Sequence, residues 1–81
     1  MSVVTVVLLG KLADLGGAPE LSLAGPLDWA GLKAALPPAL AEAIDDPRNR
    51  VALNGVLIAD KAGLNAADGD EIALLPPVSG G

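Results

Sequence analysis

Apolar positions in this chain fall into short runs whose spacing changes along its length. From Val3 to Leu9 a β-branched and aliphatic run reads as a strand. Its period of two sets Val4, Val6 and Leu8 on one face and Val3, Thr5, Val7 and Leu9 on the other. Gly10 ends the run, and Gly16-Gly17 marks a turn into a second strand over Glu20 to Leu23, so the first two strands read as a hairpin with a small-residue connection. Asp28 stands where a helix N-cap is needed, because its carboxylate can accept from the first-turn N–H groups. Behind it Trp29, Leu32 and Leu36 recur at helical spacing and are expected to face the sheet. Pro37-Pro38 breaks that helix, and a second short helix with Leu40 and Ile44 at i, i+4 runs to Asp46-Pro47.

Period two returns afterwards. Val51 to Leu53, Asn54-Gly55 and Val56 to Ile58 read as strand, turn and strand, because both Asn and Gly tolerate the positive φ of a tight hairpin. Asp68-Gly69-Asp70 is a further turn before the strand Glu71 to Leu75, which sets Ile72 and Leu74 on one face and Ala73 and Leu75 on the other. The order is strand, strand, helix, short helix, strand, strand, strand. It predicts an α+β chain: a ubiquitin-like β-grasp fold, with a mixed sheet of four to five strands and one main helix packed on one face. Residues 1–75 form the expected domain. Residues 76–81, Pro76-Pro77-Val78-Ser79-Gly80-Gly81, form an extended tail that is neither helix nor paired strand.

Composition then removes most function classes. With 81 residues and 52% hydrophobic content, the chain supports one modest core. No apolar run approaches the roughly 20 residues that span a bilayer, and the N-terminus lacks the basic segment of a signal peptide. A cytoplasmic protein without membrane contact is expected. There is no Cys and no His, so no thiolate nucleophile, imidazole base, disulfide or usual transition-metal ligand is available, and no bound cofactor or metal is expected. Trp29 is the lone aromatic residue, at helical spacing, and is expected in the core rather than as a stacking platform. The net charge of −5 opposes nucleic acid and suits a basic protein partner. Asp45-Asp46 and Asp70-Glu71 sit at turns and read as solvated carboxylates. Lys11, Lys33 and Lys61 are scattered and read as surface charges; Ser2, Ser22 and Ser79 have no base to activate them.

The C-terminus is the exception. Two prolines stiffen the exit from the last strand, and the chain then narrows to Ser79-Gly80-Gly81. A terminal Gly-Gly presents an unhindered carboxylate on a thread that another protein's backbone can approach from every side.

The segment Asp68-Gly69-Asp70-Glu71-Ile72-Ala73-Leu74-Leu75-Pro76-Pro77-Val78-Ser79-Gly80-Gly81 resembles the C-terminal signature of the MoaD/ThiS sulfur carriers, and among them the small subunits of molybdopterin synthase. Val6 to Gly16 resembles the family's first strand and turn, and Val51-Ala52-Leu53-Asn54-Gly55 its Val-Ala-Val-Asn-Gly segment. The chain departs from the pattern at Leu8-Leu9 and Leu74-Leu75, where paired phenylalanines are common, and at Ala13-Asp14, where Arg-Glu is frequent.

The resemblance implies a non-catalytic, sulfur-donating subunit. An ATP-using adenylyltransferase would join the Gly81 carboxylate to AMP, and a sulfur donor would convert it to a thiocarboxylate. The tail, Pro76, Pro77, Val78, Ser79 and Gly80, would thread Gly81 into the large subunit of molybdopterin synthase, in a heterotetramer, for transfer to the pterin precursor. In a β-grasp fold the face opposite the helix carries the partner surface, here Val7 or Leu8 with Ala73 or Leu75; ordinary small-protein surface is the competing reading. Other readings stay open. A thiamine-pathway carrier shares the chemistry, although such carriers tend to end in Val-Gly-Gly-Gly without the Pro-Pro pair. A ubiquitin-like modifier would be conjugated through Gly81, and a plain adaptor would not use the tail at all.

Overall fold

The computed structural model of the chain describes residues 2–77. Strand β1 (Val3–Leu8) is followed by helix α1 (Lys11–Gly16), β2 (Glu20–Ala24) and the short β3 (Leu27–Asp28). Helices α2 (Trp29–Ala35) and α3 (Pro38–Ile44) come next, then β4 (Arg50–Leu53) and β5 (Val56–Leu57). A 3₁₀ turn at Lys61–Gly63 and the short β6 (Asn65–Ala66) precede β7 (Glu71–Leu75). The five-stranded sheet has the order β2-β1-β7-β4-β5, and β3 and β6 form a separate two-stranded ladder. The last strand therefore lies at the centre, parallel to β1 and antiparallel to β4. This is the β-grasp plan, with the helices on one face of a mixed sheet.

The alternation along each strand decides which side is covered. Val4, Val6 and Leu8 of β1, Val51 of β4, and Ile72 and Leu74 of β7 are all buried on the helix side. Leu32 and Leu36 from the α2 segment, and Leu40 and Ile44 from α3, close over them. Fully burying one such aliphatic side chain is worth about 1.5–3 kcal/mol. Asp28 caps α2 as expected, its carboxylate accepting from the Gly31 N–H at 2.7 Å. Pro37 and Pro38 separate the two helices, and Pro38 begins the second, where its missing N–H costs nothing.

Three expectations need correction. The link between β1 and β2 is not a loose turn but the one-and-a-half-turn helix α1. The two strands still pair antiparallel, from Val3 against Ala24 to Val7 against Glu20. The small residues here serve packing: Leu12 is buried, and a side chain on Gly16 would collide with Leu8 and press on Leu40. Trp29 is only half-buried. It lies at the core's edge with the Lys33 and Lys61 ammonium groups 5.6 and 5.7 Å from its ring, and its N–H donates to Asp45. Lys33 and Lys61 are thus structural as well as solvated. Lys61 donates at 2.8 Å to the carbonyls of Ile44 and Asp46 past the end of α3, and Lys33 pairs with Asp45 at 3.1 Å. Burial pulls the Lys61 amine below its ordinary range, partly offset by Asp45 and Asp46.

Both ends of β7 are fixed. At its start, Asn54 adopts φ 51° in the β4–β5 turn and exchanges backbone and side-chain bonds with Glu71: Asn54 N–H to Glu71 O at 2.8 Å, Glu71 N–H to Asn54 Oδ1 at 2.9 Å. The Asn54 amide also donates to Asp70, whose other oxygen accepts from the Ala67 N–H. At its end, Gly10 approaches Pro76. Gly10 has φ 56° and ψ −135°, and a Cβ there would stand 3.1 Å from the proline ring.

Two outcomes follow. Gly10→Ala forces an L-residue into a region it scarcely visits and crowds Pro76, so urea unfolding should show a loss of about 1–3 kcal/mol; a loss below ~0.5 kcal/mol would contradict the account of this corner. The Ala67 N–H and the Asn54 amide hold the Asp70 carboxyl below its ordinary value. A depressed folded pKa contributes stability that is complete above the unfolded value of about 3.9 and is lost as pH falls through the folded one. Asn54→Ala should therefore raise the Asp70 midpoint seen by carboxyl NMR titration and flatten the acid limb of the stability curve. An unmoved midpoint would show that the turn does not hold this carboxylate.

Candidate functional site

The candidate site is the end of β7 and the sheet face beside it. Leu75 is the last paired residue of β7, opposite Arg50 of β4. Pro76 has no N–H to continue the ladder, so the chain leaves the sheet there. Pro76 is half-buried and Pro77 exposed, while Val78, Ser79, Gly80 and Gly81 lie outside the described residues.

On the face away from the helices, register brings one row together. Val7 stands beside Ala73, Ala73 beside Ala52, and Ala52 beside Leu57. Leu75 and Leu9 continue this apolar area toward the tail, with Leu57 57% and Leu9 43% exposed. Of the four residues expected on this face, Val7, Ala73 and Leu75 are there. Leu8 is not: it is 2% exposed and points into the core against Gly16, because its parity in β1 is that of Val4 and Val6. Leu9, Ala52, Leu57 and Arg50 were missed. The signal for Ala52 and Leu57 lay in the two-residue Asn54-Gly55 turn, which forces Leu53 opposite Val56 and therefore Ala52 opposite Leu57.

Two depressions flank the tail exit. A groove of about 750 Å³ is lined by Leu9, Leu57, Leu75, Pro76 and Pro77 together with Arg48 and Arg50. On the other side of Pro77 a smaller, more polar hollow of about 240 Å³ is lined by Lys11, Leu12, Leu15, Asp46, Arg48 and neighbours. Arg48 contributes to both and pairs with Asp46 at 2.8 Å. Hydrogen bonds from the Arg48 side chain and backbone hold the Asp46 carboxyl down to about 2. Among the described residues no group of three or more His, Cys, Asp or Glu side chains is placed to hold a metal ion. Among the described residues no helix is long and apolar enough to cross a membrane. What the arrangement can do is dock: an apolar face fits a protein surface, and the tail issues from its edge.

Comparison with known proteins agrees with this layout. The ThiS family profile matches residues 6–81. No curated protein matches the chain. Among solved structures, SAMP1 from Haloferax volcanii is 32% identical with a TM-score of 0.76, covering 99% of this chain and 100% of its own. The small archaeal modifier protein 1 (SAMP1) from Methanosarcina acetivorans is 34% identical with a TM-score of 0.75, covering 100% and 98%. A complex of subunits 1 and 2 of the molybdopterin-converting factor from Helicobacter pylori 26695 contains a chain 29% identical with a TM-score of 0.69, covering 98% and 99%. A profile match over nearly the whole length, a β-grasp sheet and a tail leaving its central strand lead to one assignment: the chain belongs to the ThiS family of ubiquitin-like sulfur carriers.

Proposed function

We infer that this chain is the sulfur-carrying small subunit of a molybdopterin synthase, with the carboxyl carbon of Gly81 as its working atom. The observation that carries the reading is the Pro76-Pro77-Val78-Ser79-Gly80-Gly81 sequence, joined to the central strand at the margin of an exposed apolar face. The likeness to a chain of the Helicobacter pylori molybdopterin-converting factor complex supports the same partner class. In this reading residues 1–75 are the docking domain and residues 76–81 the delivery thread. Val7, Ala73 and Leu75, together with Leu9 and Leu57, meet the large subunit.

A free carboxylate is a poor acyl donor, so the chemistry needs activation. The Gly81 carboxylate attacks the α-phosphorus of ATP on a partner adenylyltransferase, giving an acyl adenylate and pyrophosphate. A sulfur donor then displaces AMP and leaves a thiocarboxylate. The large subunit receives the tail, and the sulfur passes to the pterin precursor. The chain brings neither Cys nor His to this sequence, so acid–base work falls to the partners.

A second reading, conjugation of Gly81 to protein lysines, is supported by the likeness to the two archaeal SAMP1 structures across the whole of both chains. Both readings pass through the same adenylate and part at the acceptor, which is sulfur in one case and an amine in the other.

Incubation with ATP, sulfide and a competent adenylyltransferase should add a sulfur-for-oxygen mass increment confined to the C-terminal fragment. The fragment must be isolated, because Met1 oxidation adds nearly the same mass. Deleting Gly80-Gly81 should abolish both the increment and molybdopterin formation with the large subunit, while the fold melts unchanged. Full synthase activity from the truncated chain would end the carrier reading. A thiocarboxylated chain that fails with the large subunit but forms isopeptide-linked conjugates in cells would favour the modifier.

A further inference from the structure

We propose that the tail exit is a positively charged collar that docks on an acidic mouth of the adenylyltransferase acting on Gly81. This rests on the carrier chemistry proposed above and names the surface chemistry of the partner. Whole-chain charge points the other way, toward a basic partner, because the net charge is −5. The distribution reverses the sign locally. Three of the five cations, Lys11, Arg48 and Arg50, line the two depressions that meet at Pro77, against the single carboxylate of Asp46. The other two are used elsewhere, Lys33 on Asp45 and Lys61 on the carbonyls of Ile44 and Asp46.

Reach makes this collar part of any docked complex. Gly81 lies four residues beyond Pro77, a separation that spans at most about 13–14 Å when fully extended. For Gly81 to meet ATP inside another protein, the rim of that active site must come within this distance of Pro77, and so over Lys11, Arg48 and Arg50. Arg48 brings its own counter-charge in Asp46. Lys11 and Arg50 are exposed and make no ion pair among the described residues. Covering them with a neutral rim would desolvate two unpaired cations, whereas carboxylates at the mouth would match them. The same asymmetry orients encounter, since an acidic mouth repels the rest of the chain and attracts only the end that carries the tail.

The test is steady-state pyrophosphate release by the cognate adenylyltransferase with the full chain as substrate. Arg50→Glu and Lys11→Glu are each expected to raise KM about tenfold at low salt and leave kcat within about twofold. Arg50→Gln should fall between. The difference should shrink between 0.01 M and 0.15 M salt, as the screening length falls from about 30 to about 8 Å. The control is Ala30→Glu with Ala39→Glu, exposed helix positions that shift net charge as much as Arg50→Glu does. Thermal melting verifies that each variant is folded. If Arg50→Glu and Lys11→Glu behave like the control, or lower KM, the acidic mouth is wrong although the carrier chemistry stands. If the wild-type chain releases no pyrophosphate with an enzyme active on its own carrier, the carrier reading and this inference fall together.

Discussion

The arrangement depends on one constraint, the insertion of the last strand between the first and the fourth. β7 bonds to β1 on one side and to β4 on the other, so neither half of the sheet closes until the C-terminal segment arrives. Contacts of such long sequence separation cost loop-closure entropy before they return anything. The molecule concentrates fixings around this strand. Val3 N–H donates to Asp68 and Gly69 N–H to Val3 O, while Asn54 holds Glu71 and Asp70. Ile72 and Leu74 then enter the core fully buried. A strand gripped on both edges and one face offers a rigid base for the tail.

From that base the two faces of β7 divide the work. Its inward residues lock the sheet to α2 and α3, and its outward residues, Ala73 and Leu75, are small or half-covered and leave the opposite face smooth. Ala52 beside Ala73 keeps the row shallow, and Leu57 and Leu9 stand up at its border. The aliphatic side chains at 8, 9, 74 and 75, where the family often carries phenylalanine, fit this division. Leu8 and Leu74 face inward, and Leu9 and Leu75 border the groove.

Much of this was legible in the sequence wherever one local rule dominated. Strand parity, the Asp28 cap, the Pro37-Pro38 break and the Asn54-Gly55 turn each rest on neighbouring residues, and each reads correctly. The failures are cases in which tertiary contact outweighs local pattern. Lys11 to Gly16 looks like a connection because its apolar face is two residues wide, and it becomes a helix because Leu12 is buried in the core and the bare Gly16 docks against Leu8 and Leu40. The two-residue strands β3 and β6 have too little sequence to carry a period at all. At the site, the proposed tail chemistry rests on neighbouring residues of one motif, whereas the proposed collar does not. Lys11 and Arg50 are 39 positions apart, and only the fold sets both beside Pro77.

The parallel pairing of β1 with β7 also has a mechanical meaning. A tail drawn into an active site is a handle, and tension on it runs along the axis of β7. The hydrogen bonds of both flanking ladders run across that axis, perpendicular to it toward β4 and slanted toward β1, so they are loaded together in shear instead of opening one after another like a zipper. A partner that grips the final glycines can therefore pull hard on the thread without unravelling the domain behind it.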